Sequence, residues 1–210
     1  MINRILDRIA GGKKVSDKEK KLLESELEKL LASPPQPDLR VIGLFSDVSD
    51  DKIAELIHAL IYLDEINRIT DENRPVEFYI STYGGSADDM FGMYDIMRVI
   101  RERTPIQTIG LGKVMSAGVL LLAAGTKGKR CIGKNCRVMV HSVIGGSHGP
   151  LHNLINEMDA IEQIQKMYSD ALIAETNLTK KDLKKLLEKK VNVYLSAEEA
   201  VELGIADIIV

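Results

Sequence analysis

Tryptophan is absent from the 210 residues and aromatic side chains make up only 4% of them, so the chain lacks the stacking platforms on which single-stranded nucleic acids are held. Nor is there an excess of positive charge. Lys and Arg number 28 against 31 Asp and Glu, a net charge of -3, and no nucleic-acid partner is expected. The longest apolar run, Val119-Leu120-Leu121-Leu122-Ala123-Ala124, is far short of the roughly 20 residues that span a bilayer, so no membrane partner is expected either. Met1 to Lys14 carries Arg4 and Arg8 and no continuous apolar core before Gly11-Gly12. That pattern lacks the apolar centre of a secretory signal, and the expected compartment is the cytoplasm.

Cysteine is equally scarce. Cys131 and Cys136 lie close together with only His141 as a nearby nitrogen ligand, and two thiols do not complete a zinc set. Both are read as reduced, and neither a metal nor a cofactor is expected. With 45% hydrophobic and 28% charged residues, the chain fits one soluble globular domain, or a domain with a small appendage.

The order of patterns favours the second of these. Ile2, Ile5, Leu6 and Ile9 have the spacing of one helix face, and Ser16 with Glu19 begins a second helix carrying Leu23, Leu27, Leu30 and Leu31. Ser33-Pro34-Pro35-Gln36-Pro37 stops it. Residues 1–38 are thus expected to form a helical appendage with a Pro-rich linker, and 39–210 the main domain. There the pattern alternates, with strands expected at 40–45, 76–81, 106–111 and 137–141 and helices at 50–67, 86–103 and 116–124 between them. A long helix follows over 151–176, then capped helices from Thr179 and Ser196 and a terminal strand over 205–210. Strands separated by single helices give βαβ units and a mainly parallel α/β sheet.

Two strand-to-helix junctions can carry chemistry. Tyr83-Gly84-Gly85-Ser86 lets a backbone amide approach a ligand, although a Gly pair is also an ordinary tight turn. No Gly-x-Gly-x-x-Gly and no P-loop accompanies it, which disfavours nucleotide binding and leaves an oxyanion as the guest. The second junction, Gly110 to Gly118, contains Met115-Ser116-Ala117-Gly118. Ser116 alone would pass for a helix cap. Small neighbours leave its hydroxyl open, and the following amide can face a carbonyl under attack. Of the four histidines, His58 lies within an amphipathic helix, and His148 and His152 lie in or after a Gly-rich stretch. His141 ends the apolar strand Val138-Met139-Val140, which brings it to the same carboxyl edge of the sheet as Gly84-Gly85 and Ser116.

Four stretches in order then resemble one family. Tyr79-Ile80-Ser81-Thr82-Tyr83-Gly84-Gly85, Met115-Ser116-Ala117-Gly118, Arg137-Val138-Met139-Val140-His141 and Leu195-Ser196-Ala197-Glu198-Glu199-Ala200 are similar to the proteolytic subunit of the Clp protease, the ClpP type, from about Arg40 to the C-terminus. The resemblance implies a ClpP/crotonase-like fold and heptameric rings stacked in pairs, a tetradecamer enclosing a chamber, with the long helix as the handle between rings. It implies Ser116 as nucleophile, His141 as base, and the amides of Gly85 and Ala117 as the oxyanion hole. The substrate would be a peptide or unfolded protein, delivered by an AAA+ unfoldase on another chain.

Three departures stand beside it. The family's triad Asp falls at Asn192, the charged helices before Pro34 replace the usual N-terminal approach, and Ala117 stands where Met is frequent. An alternative follows from the first: a weakly active or non-proteolytic structural or regulatory subunit. A crotonase-type acyl-CoA enzyme is a third reading, and it leaves the Ser116 and His141 pair without a purpose.

Overall fold

The computed structural model describes residues 39–187 and 192–210, together with Lys18, Lys21, Leu22 and Ser25, which are helical. The chain divides into two compact units, Met1–Leu39 and Arg40–Val210. Most of the helical appendage expected over 1–38 lies outside the described residues.

The second unit runs β1 (Val41–Leu44), α1 (Asp50–Thr70), β2 (Val76–Thr82), α2 (Ala87–Ile100), β3 (Ile106–Met115) and α3 (Ala117–Ala123). It continues through β4 (Cys131–Ile132), β5 (Arg137–Val140), α4 (Leu151–Glu175), α5 (Lys180–Leu187), β6 (Val193–Leu195), α6 (Ala197–Glu202) and β7 (Ile208–Ile209). This is the expected α/β architecture. β1, β2, β3, β4 and β7 lie side by side, with β5 on β3 and β6 on β5. All pairings are parallel except that of β5 with β6.

Periodicity accounts for the first elements. In β2 every second residue, from Val76 through Phe78 and Ile80 to Thr82, is buried, as a half-covered pleat requires. In α1 the buried Ile53, Leu56, Leu60 and Leu63 follow helical spacing. The helix α3 is different, since all seven of its residues are buried, a central element with no polar face to mark it.

Three differences from the sequence pattern bear on the site. β3 extends to Met115 rather than ending at Leu111, because Gly112, at φ +65°, turns the chain within the strand without ending it. Its first half pairs with β4 and its last residues, Lys113 to Met115, pair with Arg137 to Met139 of β5. One long strand therefore serves two layers. β4 and β6 have two and three residues, too few for alternation to reveal. The terminal strand shrinks to Ile208–Ile209, since Gly204, at φ +71°, turns the chain and Ile205 and Ala206 are buried in the core.

The C-terminal segment is fastened by an ion pair on the buried Arg130. Its Nε donates to Asp207 at 2.8 Å and its Nη1 to the carbonyls of Glu175 and Gly204, each at 2.8 Å. Partial burial pushes the Asp207 carboxyl up, but the hydrogen bonds and charge of Arg130 outweigh it and hold the group below its ordinary range. Cys131 and Cys136 are free and buried. Burial pushes the Cys136 thiol up to about 11, which keeps it protonated and unreactive.

Candidate active site

Ser116 follows directly on β3 and caps α3 with φ 54° and ψ -122°. A non-glycine residue holds such a conformation only when its surroundings over-determine it. Here they do. Its N–H donates to the Met139 carbonyl on β5 at 2.8 Å. Its carbonyl accepts from the Val119 N–H at 3.0 Å and from the Tyr168 hydroxyl, on α4, at 3.0 Å. Behind it lies Gly84, where a Cβ would stand 2.6 Å from the Ser116 Cβ and 3.1 Å from its Oγ. No other residue fits there, and φ +104° at Gly84 adds the same restriction.

The Gly84-Gly85 turn is held from the opposite side by Val48. Its N–H donates to the Gly84 carbonyl at 2.8 Å, and its carbonyl accepts from the Ser86 N–H at 2.9 Å. A Cβ on Gly85 would lie 2.2 Å from the Val48 carbonyl oxygen. The clamp leaves the Gly85 N–H without a partner among the described residues. The Ala117 N–H, in the first turn of α3, is also without one there. Both residues line a cavity of about 420 Å³ together with Ser116 and His141. Met90, Val143, Ile144, Ile164 and Tyr168 give that cavity its apolar wall.

His141 comes one residue after β5, and β5 is the parallel neighbour of the end of β3. Ser116 and His141 thus leave adjacent strands at the same edge. The His141 ring is partly buried, and its Nδ1–H donates to the Ser142 carbonyl at 2.5 Å. With the proton on Nδ1, Nε2 keeps a lone pair and can accept one. Ser142 and Val143 are themselves fixed. The Ser142 Oγ donates to the Leu187 carbonyl at 2.8 Å, and the Val143 N–H donates to Gln165 Oε1 at 2.7 Å.

Asn192 immediately precedes β6 and is exposed. The register pairs Val140 with Val193, so Asn192 is the next residue opposite His141, yet among the described residues no hydrogen bond joins them. The acidic side chains of Asp170 on α4 and Asp182 on α5 pair within their own helix or cap. Asp170 accepts from Lys166 at 2.7 Å, and Asp182 from the Thr179 hydroxyl at 2.5 Å. His58, His148 and His152 are exposed and do not line the cavity. Among the described residues, no three His, Cys, Asp or Glu side chains gather as a metal site.

Two participants escape a reading of the sequence. The Ser142 carbonyl is backbone and leaves no residue signal. Tyr168 does leave one, since Ile164, Tyr168 and Leu172 recur every fourth residue and place it on the inward face of α4. An aromatic at such a position passes for core.

The Clp protease family model matches residues 37–210. The chain is 32% identical to the ATP-dependent Clp protease proteolytic subunit 2 of Corynebacterium jeikeium over 169 residues, 80% of this chain and 77% of that protein. It is 31% identical to proteolytic subunit 1 of Corynebacterium glutamicum, with the same coverage. With proteolytic subunit 1 of Prochlorococcus marinus subsp. pastoris it shares 28% identity over 209 residues, 100% of this chain and 95% of the relative. The match extends over the whole sheet and all four of the stretches that resemble the family, so the chain belongs to the Clp protease family, as a ClpP-like serine-type peptidase.

Proposed function

We propose that the protein is an endopeptidase that cleaves peptides or unfolded polypeptides inside an oligomeric chamber, with Ser116 as nucleophile and His141 as base. The observation that carries this is the shared cavity, into which a strained serine, a histidine and two amides without partners among the described residues all open. The Ser116 Oγ attacks the scissile carbonyl as His141 Nε2 takes its proton. The N–H groups of Gly85 and Ala117 receive the oxyanion. Collapse of the tetrahedral species breaks the C–N bond, and the leaving amine takes the proton from the imidazolium. Water, activated by the same histidine, then releases the acyl group and restores Ser116.

Asn192 takes the third member's position opposite His141 without supplying charge, and the Ser142 carbonyl receives the Nδ1 proton in its place. The irregular, Gly-containing segment after His141 suits an extended substrate pairing along it. Assembly into stacked heptameric rings is supported by α4, whose buried residues all lie at its C-terminal end. Leu151, Ile155 and Met158 remain exposed on its first half. The relatives are named as ATP-dependent, and with no P-loop in this chain the ATPase is a separate AAA+ partner. Two reduced, buried cysteines suit a cytoplasmic location.

Labelling with a fluorophosphonate tests the chemistry. The native protein should be acylated and Ser116→Ala should not. Absence of labelling in assembled native protein would favour a non-proteolytic subunit instead.

A further inference from the structure

Tyr168 stands where a purely apolar residue would complete the wall of the cavity equally well, yet its hydroxyl donates to the Ser116 carbonyl at 3.0 Å. The residue is 5% exposed, so most of its surface is sheltered from water. We propose that Tyr168 is the positioning residue of the oxyanion hole, acting on the Ala117 amide through the Ser116 carbonyl. The inference rests on the peptidase reading above.

The argument is one of peptide geometry. The Ser116 carbonyl and the Ala117 N–H belong to one planar group, and no peptide bond of the described residues is cis. In a trans peptide the two bonds point in opposite directions, so fixing the oxygen fixes the hydrogen. The Tyr168 hydroxyl pulls on the oxygen from α4, and the Val119 N–H engages the same atom at 3.0 Å. Together they fill its two acceptor positions. The Ala117 N–H is left aimed the other way, toward the cavity that Ala117 lines. A donor at the oxygen also polarises the peptide and strengthens the N–H as a donor in its turn. Burial raises the Tyr168 hydroxyl above its ordinary value, so it stays protonated and remains a donor at neutral pH.

The strain at Ser116 gives this bond its weight. With φ at 54°, the residue has lower-energy conformations available, and each of them rotates the Ser116–Ala117 peptide away from its present plane. A contact that acts on the plane affects the transition state, where charge sits on the oxyanion, far more than substrate binding. Loss of Tyr168 Oη should therefore lower kcat and leave KM alone. The aromatic ring, as cavity wall, governs the opposite pair.

The test compares Tyr168→Phe, which removes only the hydroxyl, with Tyr168→Ala, which removes the wall, and with Tyr62→Phe on the exposed face of α1 as a control. Turnover of a fluorogenic peptide and the time course of fluorophosphonate labelling are both recorded. For Tyr168→Phe the labelling endpoint per chain should match the native protein. Its rate constant and kcat should fall about 5- to 20-fold, less than the roughly 100-fold or more for deleting an oxyanion donor outright, with KM within about twofold. Tyr168→Ala should raise KM as well, and Tyr62→Phe should change nothing. An unchanged rate constant for Tyr168→Phe, or a lower endpoint at the native rate, overturns the positioning role and leaves the peptidase reading standing. Failure of the native protein to be labelled overturns the peptidase reading itself.

Discussion

Replacing Asn192 by aspartate asks how much of the base's work depends on a charge opposite it. His141 and Asn192 are the next facing positions beyond the Val140–Val193 pair of an antiparallel ladder, where facing Cβ atoms are about 4.5–5.5 Å apart. A carboxylate there can approach the imidazolium to about 4 Å, where unit charges attract by about 4 kcal/mol at an effective dielectric of about 20 and about 1 kcal/mol in water. Asn192 is exposed, so the lower part of that range applies, about 1–2 kcal/mol. That corresponds to about 5- to 30-fold in kcat/KM. Asn192→Ala, by contrast, should change kcat/KM by less than about threefold, because the Nδ1 proton already goes to the Ser142 carbonyl. The assay is hydrolysis of a short fluorogenic peptide at neutral pH, with assembly followed by light scattering. The reasoning fails if Asn192→Asp brings no gain in intact assemblies, or if Asn192→Ala is as damaging as His141→Ala.

Gly84→Ala should abolish labelling of Ser116 while secondary structure persists, since its Cβ would lie 2.6 Å from the Ser116 Cβ; circular dichroism beside fluorophosphonate labelling checks this. Ile155→Glu with Met158→Glu puts charge on the exposed half of α4 and should shift light scattering toward smaller species. On acidification the carboxylates of Asp64, Glu175 and Asp207 should unfasten the fold. Asp64 and Glu175 are buried and Asp207 is half-buried, which pushes each carboxyl up, yet Arg103, Arg101 and Arg130 respectively hold them below ordinary values of 3.8, 4.5 and 3.8. A depressed carboxyl contributes stability above its unfolded value and loses it as pH falls, so denaturant midpoints should be flat near neutrality and drop below about pH 4.5. Asp207→Asn should lower stability at pH 7 by about 3 kcal/mol, by leaving the buried Arg130 without its carboxylate, and should weaken the acid dependence seen in urea titrations.

The parts legible in the sequence are those with a period or a strand end. Alternation in β2 and helical spacing in α1 gave their elements directly, and the order of strand and helix gave the parallel sheet. The convergence of Ser116 and His141 followed from a simple rule, that residues ending parallel strands of one sheet share an edge. What stayed hidden has physical reasons. β4 and β6 are shorter than one useful period. The extension of β3 depends on Gly112, whose left-handed turn in the strand looks in sequence like the end of one. The partner of His141 is a main-chain oxygen, and Tyr168 is set apart from a core aromatic only by its hydroxyl bond to Ser116.

If His141 is the base proposed above, the geometry around it bears on what asparagine at position 192 would cost. In a serine protease whose buried aspartate is changed to asparagine, turnover falls about 10⁴-fold chiefly because the amide selects the wrong histidine tautomer. Here the Ser142 carbonyl, an acceptor with no donor alternative, makes that choice. Its position is set by the Ser142 hydroxyl on Leu187 and the Val143 amide on Gln165, neither of which involves residue 192. The tautomer is therefore independent of Asn192, and what the substitution removes is the charge alone. A neutral acceptor stabilises the imidazolium less than a carboxylate does, but it has no charge of its own to desolvate. On the proposed mechanism such a site would be slow for want of field rather than for want of geometry, which is why restoring the charge is expected to speed it without rebuilding anything else.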